Sequence, residues 1–375
     1  MTFYKMFFIK FVLSFFLAHS ILGFELKYQI MRLINPLLDT ECSNYIADLP
    51  DYECVKQHWL GYGAFSVTFQ VKPKTEEINY VVKVQHFTEN SNFNKEEEIM
   101  KTLTGGPYIV TFIDSKIANG FLYEIMEFIP NGSLDKFRLK SEKTFSDPRF
   151  YLTFLKQIAE GTAYIHGHNL VWADMKLDNI MVAGDNTPRL IDFNISENAN
   201  QLVGPRGTLL YMDPNFFGRV LININPMNDV YSFGVVAYLL WFKKHPFGPV
   251  DDLMTNIQKG KFTLWSGIPK LAAQIIDGCL KQDEKQRYTF EAMVKLLEQA
   301  LAEPNIELLS ESYVGSLNSK IDFSTPAGFF ESHYHGIRKT AYYVGAILVS
   351  AVIYFGVTTS IKSKKPDHNI PMFSN

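Results

Sequence analysis

Apolar residues collect into one long run near each end of the chain, and between the runs they recur at short, changing intervals. From Met6 to Gly23 the chain is dominated by Phe, Ile, Val and Leu behind Lys5, with Ala18 and Ser20 as a small-x-small pair. That is the layout of a secretory signal, and its apolar core is too short to span a bilayer comfortably, so residues 1–23 are expected to be a removed signal peptide. Thr340 to Ile361 carries no charge and includes Tyr342, Val344, Ile347, Leu348, Val352 and Phe355, which is long enough for a transmembrane helix. Arg338 and Lys339 precede it and Lys362, Lys364 and Lys365 follow, a bias that sets the 362–375 tail on the cytosolic side. In the interior, Phe69 and Val71 alternate as in a strand, and Tyr80-Val81-Val82-Lys83-Val84 is a β-branched run broken by one lysine. Leu122 to Leu134 reads as a strand that ends in a turn at Pro130-Asn131-Gly132 and opens a helix.

Chemistry concentrates in Asp174-Met175-Lys176-Leu177-Asp178-Asn179, with Asp192-Phe193 shortly beyond. Moving a phosphoryl group requires a carboxylate to orient the attacking hydroxyl, a cation against the γ-phosphate, and oxygen ligands for the magnesium that neutralises the phosphates. Asp174, Lys176, Asn179 and Asp192 supply all three. The D-x-K-x-x-N run followed by D-F resembles the catalytic and metal-binding loops of the eukaryotic protein kinase superfamily, serine/threonine type. That resemblance implies an α+β, two-lobed protein-kinase-like fold, with a small β-rich N-lobe and a large helical C-lobe, here followed by the C-terminal transmembrane helix. It also implies ATP and Mg2+ as cofactors and a protein substrate.

Further parts of the resemblance stand in order along the chain. Leu60-Gly61-Tyr62-Gly63-Ala64-Phe65-Ser66-Val67 fits a glycine-rich loop in which Gly61 and Gly63 let the backbone approach phosphates and Ser66 replaces the third glycine. Lys83 stands at the V-A-I-K position, and its carboxylate partner is expected on the next helix. Residues four apart share a helix face. Glu96 stands four before Met100 and seven before Leu103, whereas Glu97 and Glu98 fall above Lys101 and Thr102. Glu96 is therefore expected to face inward, with Glu97 in reserve. Leu122 to Leu134 looks like the kinase hinge, where the backbones of Glu127 and Ile129 would meet the adenine edge and Met126 would close the back of the cleft. With Val67 above the base, the nucleotide set is Gly61, Gly63, Val67, Lys83, Glu96, Glu127 and Ile129. Asp174 and Lys176 would be catalytic, and Asn179 and Asp192 would hold metal.

Besides Ser66, the chain departs from the family pattern at four residues. Trp172-Ala173-Asp174 replaces His-Arg-Asp, so the arginine that reads an activation-segment phosphate is absent, and activity is expected to need no such phosphate. Trp172 is expected to fill the histidine's space by bulk. Asn194 takes the place of the D-F-G glycine, and Asn tolerates left-handed backbone better than most residues. In Met212-Asp213-Pro214-Asn215, an amide replaces the A-P-E glutamate, so Arg287 is expected to find a neutral partner and a less secure lobe. Asp229, in Asn228-Asp229-Val230-Tyr231-Ser232-Phe233-Gly234, is expected to brace the catalytic loop.

These motifs divide the chain into 24–58, an N-terminal extension packed on the small lobe; 59–302, the kinase domain; 303–339, a juxtamembrane linker; and 340–361, the segment in the lipid bilayer. Composition changes this picture little. At 47% apolar and 20% charged residues with a net charge of −3, the chain is ordinary globular material with no basic patch for nucleic acid. Cys42 and Cys54 are placed to form a disulfide in an oxidising compartment, and Cys279 is expected in the core. A cleaved signal with a cytosolic tail puts the kinase domain in the lumen. The N-x-S/T sequons Asn131-Gly132-Ser133 and Asn194-Ile195-Ser196 oppose this, since glycans there would obstruct the nucleotide. Single-pass membrane placement in the secretory pathway or at the cell surface follows, with the lumenal side slightly favoured. Two other classes compete: a catalytically weak pseudokinase acting as a nucleotide-binding scaffold, and a kinase for a sugar or small metabolite.

Overall fold

The computed structural model describes residues 42–316, except 57–58, 63–65, 87–92, 142–143, 218, 249–255 and 258–260. The expected signal peptide, most of the extension, Gly63, much of the linker, the 340–361 span and the tail lie outside the described residues. Among the described residues no helix is long and apolar enough to cross a membrane.

The small lobe is an antiparallel sheet in the order β1-β3-β4-β6-β5, with β2 also pairing with β3. Its strands are β1 (Tyr52–Cys54), β2 (Gly61–Tyr62), β3 (Ser66–Pro73), β4 (Tyr80–His86), β5 (Phe112–Ala118) and β6 (Phe121–Glu127). A short helix, α1 (Cys42–Tyr45), precedes the sheet. Alternation decides which face each strand buries. Phe69 and Val71 from β3, Val82 and Val84 from β4, and Tyr123 and Ile125 from β6 form one core with Cys42, Tyr45, Ile46 and Leu49. Segment 42–54 is thus part of the sheet and its packing. Cys42 and Cys54 are joined as a disulfide, Cα to Cα 6.1 Å. Asp48 then reaches the far hairpin, accepting from Tyr123 Oη at 2.9 Å and Asn119 Nδ2 at 2.6 Å. Helix α2 (Phe93–Leu103) follows β4 and sends Ile99, Met100 and Leu103 into the main core.

The large lobe is built on two helices. In α4 (Pro148–Gly167), Asp147 caps the N-terminus by accepting from the Arg149 and Phe150 amides, and Pro148 occupies the first turn, where its missing N–H costs nothing. Helix α5 (Pro226–Phe242) opens with a reciprocal cap between Asn225 and Asn228 and is buried on all sides from Asn228 to Leu240, as expected of a helix without a polar residue from Phe233 onward. Gly234 is dictated by packing: a Cβ there would sit 2.8 Å from that of Cys279, on α6 (Lys270–Cys279). Cys279 is fully buried, as expected from its apolar helix. Around these lie α3 (Leu134–Lys140) and α7 (Phe290–Ala302). Four two-stranded ribbons complete the lobe: β7 (Leu170–Val171) with β10 (Glu197–Asn198), β8 (Ile180–Val182) with β9 (Pro188–Leu190), β11 (Leu202–Val203) with β12 (Ile222–Asn223), and β13 (Lys261–Leu264) with β14 (Tyr313–Ser316).

Candidate active site

Lys83 sits mid-strand in β4, and α2 brings the Glu96 carboxylate to within 2.8 and 2.9 Å of its ammonium. Of the three neighbouring acids, Glu96 is the buried one. Glu97 instead pairs with Lys101 and accepts from Ser115 at 2.7 Å, and Glu98 is exposed. Lys83 also lies 3.4 Å from Asp192 Oδ1 and 3.9 Å from Glu124 Oε2. Burial disfavours its charge, but Glu96, Asp192 and Glu124 outweigh that and hold the ammonium above its ordinary pKa. Burial raises Glu96 against the pull of Lys83.

Glu124 was not anticipated. It is fully buried on β6, takes a 2.5 Å bond from Gln85 Nε2, and leaves Oε1 without a partner. Burial pushes its carboxyl up to about 8. The signal was available: period two from Met126 puts Glu124 and Leu122 on the same face.

The second half of the site lies between β7 and β8. Asp174 Oδ2 accepts from Lys176 Nζ at 2.6 Å and Asn179 Nδ2 at 2.9 Å, and Oδ1 accepts from the Thr208 hydroxyl at 2.8 Å. Thr208 also lies 3.1 Å from Lys176 Nζ, a partner that sequence reasoning did not name. Burial raises the Asp174 carboxyl, against the lowering effect of Lys176. The Asn179 amide nitrogen is spent on Asp174, through Oδ2 and the backbone carbonyl, which leaves its Oδ1 as the available ligand oxygen. Asp192 is the more open carboxylate, its side chain about 30% exposed. One carboxylate and one amide are too few for a self-contained cage, and among the described residues no cluster of three His, Cys, Asp or Glu side chains forms one. Such a set fits a magnesium ion that takes its remaining ligands from phosphates and water.

The loop is held in a strained shape. Ala173 and Asp192 are left-handed, at φ 69° and 64°, each at a cost on the order of 1 kcal/mol. Asn194, at the D-F-G glycine position, is not left-handed; the left-handed residue is Asp192, two positions earlier in the same loop. Asp229, buried at the start of α5, accepts from the Trp172 and Ala173 amides at 2.8 Å each and bonds His166 Nε2 at 2.9 Å. Trp172 does more than occupy volume: its indole donates to the Asp192 carbonyl at 3.2 Å and its ring stands 6.1 Å from that of Phe193. Gly207 (φ 97°) passes so close that a Cβ would lie 2.6 Å from the Ala173 carbonyl, which seats Thr208 on Asp174.

On the hinge, the Glu127 N–H donates to the Thr111 carbonyl at 3.0 Å, so only its carbonyl can serve a nucleotide. Ile129 is buried and packs in the main core. Gly61 pairs with Thr68, and Val67 borders the small-lobe core. No atom lies within 4 Å of where a Gly61 Cβ would be, so the protein's own packing does not demand glycine there.

The neutral partner expected for Arg287 is corrected. Its guanidinium pairs with the Asp213 carboxylate, through Nη1 to Oδ2 and Nη2 to Oδ1 (3.2 Å), with both side chains fully buried. Asn215 instead donates to the Gln282 carbonyl at 3.3 Å. The acid has moved two residues earlier, to the alanine position of the A-P-E pattern.

Comparison with known proteins places the chain among protein kinases. Serine/threonine-protein kinase PLK4 of Drosophila grimshawi is 23% identical over 267 residues, covering 67% of this chain and 34% of that protein. A probable myosin light chain kinase of Dictyostelium discoideum is 28% identical over 258 residues, covering 63% of this chain and 64% of that protein. The chain therefore spans about a third of the length of the PLK4 relatives and under two thirds of the other. A family model described as protein kinase domain matches residues 54–297, well over half the chain. With a sheet-and-helix small lobe, a helical large lobe and the lysine, glutamate, aspartate and asparagine positions brought together, the chain belongs to the protein kinase domain family.

Proposed function

We propose that this protein is a single-pass membrane kinase that transfers the γ-phosphoryl group of ATP to serine or threonine hydroxyls of proteins, with its kinase domain on the lumenal or extracellular side. The observation that carries the phosphoryl-transfer reading is the convergence of Asp174, Lys176 and Asn179 on one point, with Asp192 beside the Lys83–Glu96 pair. Bound magnesium would neutralise charge on the phosphates and on the transferring group. Lys83, held by Glu96, would position the α- and β-phosphates. Asp192 and the Asn179 Oδ1 would hold the metal. Gly61, Gly63 and Val67 would cover the nucleotide, and the Glu127 carbonyl and Ile129 backbone would fix the adenine. Asp174, raised by burial, suits a group that accepts the hydroxyl's proton as the bond to phosphorus forms, and Lys176 would steady the γ-phosphate.

Thr208 supports the choice of acceptor. An aliphatic hydroxyl already sits between Asp174 Oδ1 and Lys176 Nζ, the contacts an incoming serine or threonine would make. The disulfide supports the lumenal side, because such bridges persist in oxidising compartments. Ala173 supports independence from an activation-segment phosphate.

Purified protein incubated with labelled ATP, magnesium and a panel of protein, peptide and sugar acceptors tests the reading. Label should enter serine or threonine, and Asp174→Asn should lower transfer about 100-fold or more. Label confined to a sugar would overturn the protein-acceptor assignment, and transfer undiminished by Asp174→Asn would remove the mechanism. Phosphatase treatment should leave turnover unchanged. Protease protection of the domain in sealed microsomes tests its side of the membrane.

A further inference from the structure

Glu197 stands outside the motifs used above, yet it joins three separately built parts of the site. Its strand β10 pairs with β7, Glu197 opposite Val171, so its backbone is fixed beside the start of the catalytic loop. Its Oε1 accepts from the ammonium of Lys95, the residue next to Glu96 on α2. Its Oε2 accepts from Arg206 Nη1 at 3.1 Å, and the same nitrogen donates to the Ile195 carbonyl at 3.3 Å. Arg206 directly precedes Gly207 and Thr208, the pair that closes on Asp174.

We propose that Glu197 is a positioning residue: its carboxylate ties helix α2 and the arm carrying Thr208 to the catalytic-loop ribbon, holding the Lys83–Glu96 pair closed without a phosphate. The inference rests on the phosphoryl-transfer reading of the site. Its physical basis is geometric. A helix is stiff over one residue, so α2 cannot carry Glu96 away from Lys83 without pulling Lys95 off Glu197. Two cations converge on one carboxylate, and without that charge Lys95 and Arg206 would be left facing each other. The Lys95 and Arg206 contacts keep Glu197 ionised below the ordinary carboxylate range despite its partial burial. Where an added phosphate would make such a link conditional, a genetically encoded carboxylate makes it permanent, which fits the loss of the phosphate-reading arginine at Ala173.

A merely structural ion pair at this degree of exposure would add little to stability and nothing specific to turnover. In the full chain, Glu197→Gln should lower kcat by about 10- to 100-fold, the scale of a small displacement of positioned groups. Its thermal midpoint should move by less than about 3 °C. Amide hydrogen exchange of residues 93–103 should quicken. Lys95→Ala should do the same, and the double variant should be no worse than the poorer single one, as members of one linkage require. Glu197→Gln with kcat within about threefold of wild type and unchanged exchange in α2 would overturn the proposal while leaving the kinase reading intact. A wild-type chain that transfers phosphate to no acceptor, but whose α2 loosens on Glu197→Gln, would sink the kinase reading and support the tie.

Discussion

Asp213 and Arg287 are fully buried, and their pairing decides what the amide at position 215 costs the large lobe. A buried pair is weak evidence of net stabilisation, because both charges lose their hydration. Removing one partner is another matter, since it strands a charge with no water to receive it. Asp213→Asn should therefore destabilise the domain by about 3–5 kcal/mol, whereas Asn215→Ala, which removes one 3.3 Å bond to a carbonyl, should cost about 1 kcal/mol. Equilibrium denaturation of both variants checks this, and equal effects would show that the charge pair is not the anchor. Glu124 makes a second prediction from one residue. Its folded-state pKa of about 8 stands above the ordinary 4.5, so the native state holds a proton that the unfolded chain releases. The stability this provides is complete below the ordinary value and is lost as pH rises through the folded one. Wild type should lose several degrees of thermal midpoint relative to Glu124→Gln between about pH 5 and pH 8, at about 2–4 °C per kcal/mol for a domain of this size. Parallel curves for the two proteins would mean that Glu124 is ionised throughout.

Among the elements, the catalytic loop shows most plainly what side-chain spacing reveals and what it conceals. That Lys83, Glu96, Asp174, Lys176, Asn179 and Asp192 would meet was legible because the proposed chemistry asks for one side-chain type at a set distance along the chain. Glu96 was legible for a further reason, that helix periodicity excluded Glu97 and Glu98 from the inner face. The pairs Arg287–Asp213, Thr208–Asp174 and Lys95–Glu197 were not legible, because each joins residues far apart in sequence whose meeting depends on the whole topology. The brace by Asp229 stands between these cases: the residue was anticipated, but not that it would take two amides, one of them on a left-handed alanine. The Ala173 amide donates to Asp229 Oδ1, and with Asp229 removed that hydrogen bond would no longer hold the conformation. Asp229→Ala should abolish transfer more completely than it lowers stability, because the loop can relax to ordinary backbone while α5 persists. A turnover assay beside a thermal melt separates the two, and an active, well-folded Asp229→Ala protein would show that the strained loop needs no brace.

At the scale of the whole molecule, residues 42–54, the described part of the segment expected as an extension packed on the small lobe, form a strap across one face of the small-lobe sheet. It runs from the disulfide beside β1 to Asp48 under the far hairpin, with Tyr45, Ile46 and Leu49 in the core between. Its strand has three residues, too short for an alternation to be read from sequence. The bridge closes a loop of separation 12, for which restriction of the unfolded chain contributes about 3 kcal/mol. Reduction should accordingly lower the thermal midpoint by roughly 6–12 °C. Cys42→Ser should show the same loss without reductant and no further loss with it. The same thiols report the side of the membrane on which the domain matures. Of the chain's three cysteines, Cys279 is buried and free, so cells lysed into an alkylating agent should yield protein that takes one label once denatured and two more only after reduction. Three labels before reduction would place the domain in a reducing compartment, and the lumenal assignment would fall with the kinase fold untouched. One label before and three after would explain why a domain with ordinary kinase chemistry carries a covalent strap: its small lobe is stabilised by a bond that the cytosol would not preserve.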